Sequence, residues 1–152
     1  MRPLSLLSLG FGLLFALTAG PTPAHAQWEN IDTVQGAQGK KTTLTKRPRR
    51  LADGLSARAL GISAPDTTRW ALSLIGADAE DAIELKYGNE SLPILDIERP
   101  SDGVGPTQVF VSESTFRTIA DTKAVRIQVG VTTAAVPPKL RREMGEILRR
   151  VR

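Results

Sequence analysis

Along the second half of the chain, apolar residues recur at a period of two and then, near the end, at the period of a helix. Trp70, Leu72 and Leu74 alternate with Arg69, Ala71 and Ser73, and Gly76-Ala77-Asp78 supplies a turn. Ile83, Leu85 and Tyr87 alternate with Glu84 and Lys86 and end at Gly88-Asn89, a strong two-residue hairpin signal. Residues 92–97 read as a third strand, in which Pro93 suggests an edge position or a bulge. Together these segments are expected to form an antiparallel meander with one apolar face.

The loop composition of residues 99–107, rich in Pro and Gly, is followed by a short strand at Val109-Phe110-Val111. Ser112 or Ser114 can then cap a helix that carries Phe116, Ile119 and Ala120 inward. Val125, Ile127, Val129 and Val131 alternate with Arg126 and Gln128 and make the clearest strand of the chain. After Val136-Pro137-Pro138, a final helix sets Leu140, Met144, Ile147, Leu148 and Val151 on one stripe. The order over residues 66–152 is β-β-β-β-α-β-α. It defines an α+β domain, a small mostly antiparallel sheet with helices packed on one face.

The first 65 residues follow other rules. Met1 and Arg2 give a positive start, residues 4–19 are free of charge, and Gly20, Pro21 and Pro23 lead to Ala24-His25-Ala26 before Gln27. This layout is that of a cleaved secretory signal peptide over residues 1–26, since 16 apolar residues are short for a span of about 20. With no cysteine for a lipid anchor and no twin arginine, export is expected through the general secretory route to the periplasm or the medium. No later run reaches membrane-spanning length, so no transmembrane segment is expected after cleavage.

Residues 27–65 read as a basic, largely disordered arm, because Gly36, Gly39 and a Thr- and Lys-rich run offer little apolar surface to offset ordering entropy. Within the arm, residues 51–60 suggest a short helix with Leu51, Leu55 and Ala59 on one face and Gly61 as its stop, although Gly54 opposes it. Pro65-Asp66 marks the expected start of the domain.

Composition narrows the chemistry. The chain of 152 residues has no cysteine, and its one histidine, His25, leaves with the signal peptide. Disulfides, thiolate zinc sites, thiol catalysis, imidazole clusters and His-based triads are thereby excluded from the mature protein. No serine after the signal peptide stands three residues before a lysine, which removes the usual Ser-Lys dyad spacing. Gly103-Val104-Gly105 lacks the rest of a phosphate-loop fingerprint, and no cofactor is implied. Asp78, Glu80, Asp81 and Glu84 crowd one turn but lack the EF-hand spacing and read as solvated, so no metal site is assigned.

Charge divides the chain into three parts. Residues 27–58 carry seven basic and three acidic side chains, residues 59–138 six and eleven, and residues 139–152 six and two. A whole-chain net charge of +4 therefore hides a basic arm, an acidic body and a basic tail. Lys40, Lys41, Lys46, Arg47, Arg49, Arg50, Arg141, Arg142, Arg149 and Arg150 are the candidate residues for binding an anionic surface.

The sequence thus points to an exported, non-enzymatic binding module whose partner is an envelope protein, an anionic lipid or an acidic polysaccharide. Nucleic acid is disfavoured because no aromatic stacking residue stands among the basic ones. A strand edge near Pro93 could accept a partner strand. The alternative is a carboxylate-based hydrolase or transferase using Asp96 and Glu98, which alternate on one strand, or the Asp78 to Glu84 cluster. No catalytic residue is assigned, since each enzyme signal has a simpler reading as a hydrated face or turn.

Overall fold

A computed structural model describes residues 30–151. The signal peptide read in residues 1–26 lies outside the described residues. Eleven strands and two helices follow one another as β1 (Ile31–Gln35), β2 (Lys41–Thr45), β3 (Arg49–Ala52), β4 (Leu55–Ala64), β5 (Thr67–Ile75), β6 (Ile83–Tyr87), β7 (Glu90–Leu92), β8 (Asp96–Glu98), β9 (Thr107–Val111), α1 (Glu113–Asp121), β10 (Val125–Val129), β11 (Thr132–Ala135) and α2 (Pro138–Arg150). The class is α+β, mostly antiparallel sheet with two helices.

The strands form two sheets. The larger runs β1-β2-β4-β5-β9-β8, with β3 also pairing to β4, and the smaller runs β11-β10-β6-β7. Strand β4 is long enough to hold β2 along one half (Lys41↔Ser63 to Leu44↔Leu60) and β3 along the other (Arg49↔Ala57). Alternation along β4 and β5 then divides the large sheet into two faces. Ala57, Ala59, Trp70, Leu72 and Leu74 point into the main core, while Leu60, Ala71 and Phe110 make a smaller cluster on the opposite face.

Both helices and the small sheet contribute to that main core. Phe116 and Ile119 from α1, Leu140, Met144 and Ile147 from α2, and Leu85 and Ile127 from the small sheet are fully buried. Trp70 and Phe116 meet with ring centroids 5.2 Å apart. Ser112 caps α1 by accepting the Thr115 N–H at 3.1 Å, as the sequence pattern anticipates. Helix α2 approaches β4 at Gly61, where a Cβ would lie 2.8 Å from Val151 Cγ2 and 3.0 Å from Ile147 Cγ2. The lack of a side chain there sets how closely helix and sheet pack.

Several expectations are corrected. The segment expected to be a disordered arm, from residue 31 onward, forms β1 to β4 and half of the large sheet. Apart from Ile31, Leu55 and Leu60, its buried positions are small or hydroxylated, among them Thr43 and Thr45, and backbone ladders tie it to the rest of the sheet. The helix suggested for residues 51–60 is instead the β3–β4 hairpin: Gly54 takes a left-handed φ of 72° at the turn, and Leu55, Ala57 and Ala59 are buried at a period of two. Pro65-Asp66 is the β4–β5 turn, not a domain start.

The expected meander is also divided between sheets, since β5 pairs with β4 and β9 whereas β6 pairs with β10 and β7. Residues 92–97 break near Pro93 into β7 of the small sheet and β8 of the large one. Local alternation sets which face a residue takes but says nothing of which strand lies beside it. Finally, the long strand expected through Val131 turns at Gly130, leaves Val131 fully exposed and returns as β11.

Candidate functional site

The structure joins the two basic segments through a carboxylate that neither contains an excess of. Glu143 lies on α2 at the border of the apolar stripe and is only 4% exposed. Arg49 of β3 pairs with it, donating from Nε at 3.1 and 3.2 Å and also from Nη2. Asn30 Nδ2 donates to the same carboxylate at 3.0 Å. Asn30 in turn grips the basic segment, accepting the Arg47 N–H at 2.9 Å and donating to the Arg47 carbonyl at 3.2 Å. The hydrogen bond to Glu143 holds the Arg49 guanidinium above its usual value, against the opposing effect of burial.

Helix geometry arranges the rest of α2 about that joint. At about 100° per residue, Lys139, Glu143, Glu146 and Arg150 fall within roughly 60° of one another, and Arg142 and Arg149 lie further round on the same flank. Glu146 binds both arginines of the last turn, Arg149 Nη2 at 2.6 Å and Arg150 Nε at 2.9 Å. Burial alone would push the Glu146 carboxyl up, but hydrogen bonds from Arg150 and Arg149 outweigh it and hold the carboxyl below its usual range.

The ten candidate basic residues therefore take different places. Arg49 binds Glu143 and the Arg47 backbone is held by Asn30 beside it, while Arg142, Arg149 and Arg150 lie on α2, the last two on Glu146. Arg50 turns to Asp53 in an exposed ion pair. Arg141 lies on the other border of the apolar stripe, half-buried, with Nε buried and unpartnered among the described residues. Lys40 and Lys41 stand at the far end of β2 from Lys46, about 17 Å away at the usual strand rise. Lys46, Arg47, Lys139 and Arg142 are exposed and make no ion pair among the described residues.

The acidic candidates are placed differently. Asp96 and Glu98 share Arg69, at 3.8 and 3.0 Å, and their side chains are 56% and 52% exposed. Arg69 also lies 3.6 Å over the Phe110 ring, so one guanidinium covers an aromatic ring and bridges two carboxylates. Beside it, β5 starts three residues before its pairing with β9 begins at Trp70↔Val111, and a cleft of about 370 Å³ opens there, lined by Thr68, Arg69, Leu95, Asp96 and Ser112 among others. In the other cluster Asp81 accepts the Asp78 N–H at 2.9 Å, and Arg99 donates to the Asp78 and Asp81 carbonyls. These contacts build a turn; among the described residues no group of three or more His, Cys, Asp or Glu is placed to hold a metal ion.

Glu143, Asn30 and Arg69 are the residues that sequence reasoning misses. Glu143 carried a signal nonetheless: it sits three residues after Leu140 and four before Ile147, where a carboxylate on a buried stripe requires a partner. Comparison with protein-family models, with curated proteins and with solved structures finds no match, so function has to be reasoned from these residues alone. No described helix is long and apolar enough to cross a membrane.

Proposed function

We propose that this chain is an exported, non-enzymatic binding module that attaches to an anionic envelope surface, lipid phosphate or acidic polysaccharide, through the basic face about the Glu143 joint. One observation carries the reading: Arg49 and Asn30 converge on Glu143 and so bring the 46–50 segment, with exposed Lys46 and Arg47, to the helix that bears exposed Lys139 and Arg142, none of the four in an ion pair among the described residues. A cluster of this kind attracts polyanions over roughly the Debye length of 8–10 Å and needs no shaped pocket. Asp96 and Glu98, the residues of the hydrolase alternative, are engaged by Arg69 on an exposed strand, which favours a structural part for them.

The experiment is a titration of the mature chain, residues 27–152, with anionic and neutral vesicles at two salt concentrations. Binding to anionic vesicles alone, weakened by salt and abolished by Lys139→Glu with Arg142→Glu, is expected. Equal binding to both vesicles, or none, would remove the reading.

A further inference from the structure

Strand edges in native proteins are normally blunted by brevity, proline, bulges or a covering element. Strands β7 and β8 have three residues each and flank Pro93, and β3 is bulged between Arg50 and Ala52 and lies against β11. Among the described residues β1 has none of these four, and its one edge charge is Asp32. It ends the large sheet with five residues, no proline and no bulge, and Asp32 to Gln35 are all exposed.

Its hydrogen-bond phase can be read from its flanks. The Lys46 N–H donates to the Asn30 carbonyl at 2.6 Å and the Gly36 N–H to the Lys40 carbonyl at 2.7 Å, both in register with the β1–β2 ladder. Even-numbered residues of β1 therefore turn their backbone groups to β2, and Ile31, Thr33 and Gln35 turn theirs to the open side. The Asp32 carboxylate holds the Thr33 N–H at 2.9 Å in the free edge.

Charge brackets this edge. Lys41 is paired with Gln35 and adjoins Lys40 at one end; Lys46 bonds Asn30 and adjoins Arg47 at the other. None of the four makes an ion pair among the described residues, and the two pairs are separated by the length of a five-residue strand, about 17 Å.

We propose that β1 accepts an extended segment of a partner protein as an added strand, about five neutral residues flanked at each end by carboxylates. Main-chain groups of Ile31 and Gln35 and the Thr33 carbonyl supply the ladder, joined by the Thr33 N–H once Asp32 releases it, the lysine and arginine pairs supply the flanks, and Asp32 excludes acidic residues from the middle. This moves the strand-accepting edge from Pro93 to β1. It goes beyond the anionic-surface reading, because the occupant is a polypeptide and α2 takes no part.

The probe is a fluorescein-labelled peptide of five alternating Thr and Val residues with two Glu at each end, compared with a Lys-flanked peptide and one with a central Pro. Anisotropy with the mature chain, residues 27–152, is expected to give at least tenfold tighter binding of the Glu-flanked peptide, with slowed amide exchange at Ile31 and Gln35. Thr33→Pro places proline where the N–H faces outward, so β1–β2 pairing is kept while peptide affinity falls tenfold or more. Lys40→Glu with Lys41→Glu weakens the peptide to the same extent and leaves vesicle binding intact, a test that stands even where Thr33→Pro fails to fold. Equal affinity for the Lys-flanked peptide, or binding without protection of Ile31 and Gln35, overturns the proposal. Peptide binding that survives Lys139→Glu with Arg142→Glu while vesicle binding is lost separates the two sites.

Discussion

Replacing Arg49 by leucine tests the joint on which the basic face depends. Arg49→Leu leaves the Glu143 carboxylate buried with Asn30 as its one remaining side-chain donor. Breaking a buried pair by removing one partner typically costs about 3–5 kcal/mol. One feature holds the cost to the lower end: Arg49 is itself 26% exposed, so water can reach the vacated side. A loss of about 3 kcal/mol is therefore expected, roughly a 10 °C fall in Tm for a domain of this size. Urea unfolding at pH 7 reads the magnitude. The double variant Arg49→Leu with Glu143→Leu should recover most of the loss, since an apolar pair of similar volume replaces an ion pair at little cost. A loss below 1 kcal/mol, or a double variant no more stable than Arg49→Leu alone, would refute the reasoning.

Other consequences can be measured alongside. Gly61→Ala puts a methyl against Val151, Ile147 and Trp70 Cζ3 (3.2 Å), and is expected to lower stability by about 1–3 kcal/mol in thermal or urea unfolding. Glu146 has its carboxyl held below the ordinary value of 4.5, so the stability it contributes is full above that value and is lost as the pH falls through the lower folded-state value. Glu146→Gln should therefore flatten the acid limb of the stability curve while leaving its shape above pH 6 unchanged. Arg69→Ala uncovers Phe110 and frees Asp96 and Glu98, and should cost about 1 kcal/mol, with most of the loss persisting at high salt because ring contact outweighs exposed ion pairs.

The parts of the fold that were legible in the sequence are those with large apolar side chains at regular spacing. Leu140, Met144, Ile147 and Leu148 announce α2, and Val125, Ile127 and Val129 announce β10. Strands β1 to β4 were hidden because their inward residues are small or hydroxylated. Ala57, Ala59 and Gly61 are small where α2 packs close, and Thr43 and Thr45 are buried, with the Thr45 hydroxyl accepting the Ala59 N–H at 3.2 Å. Such residues resemble a linker by composition while serving as the closely packed centre of a sheet. The division into two sheets was hidden for another reason, since strand partners are set by long-range pairing that alternation does not encode. For the candidate site, the basic residues were visible but their assembly was not, because it runs through Glu143 and Asn30 across 113 positions of sequence.

The most direct test of the proposed function is vesicle binding by charge-reversed variants at matched stability. The mature chain (residues 27–152), its Lys139→Glu with Arg142→Glu variant, and its Lys123→Glu variant as an exposed control on the segment after α1 are each titrated with anionic vesicles at low and high salt. Salt-sensitive binding that the Lys139/Arg142 pair abolishes and Lys123→Glu leaves within twofold is the expected result. Binding that all three share equally, or that salt does not weaken, would contradict a basic face organised about Glu143.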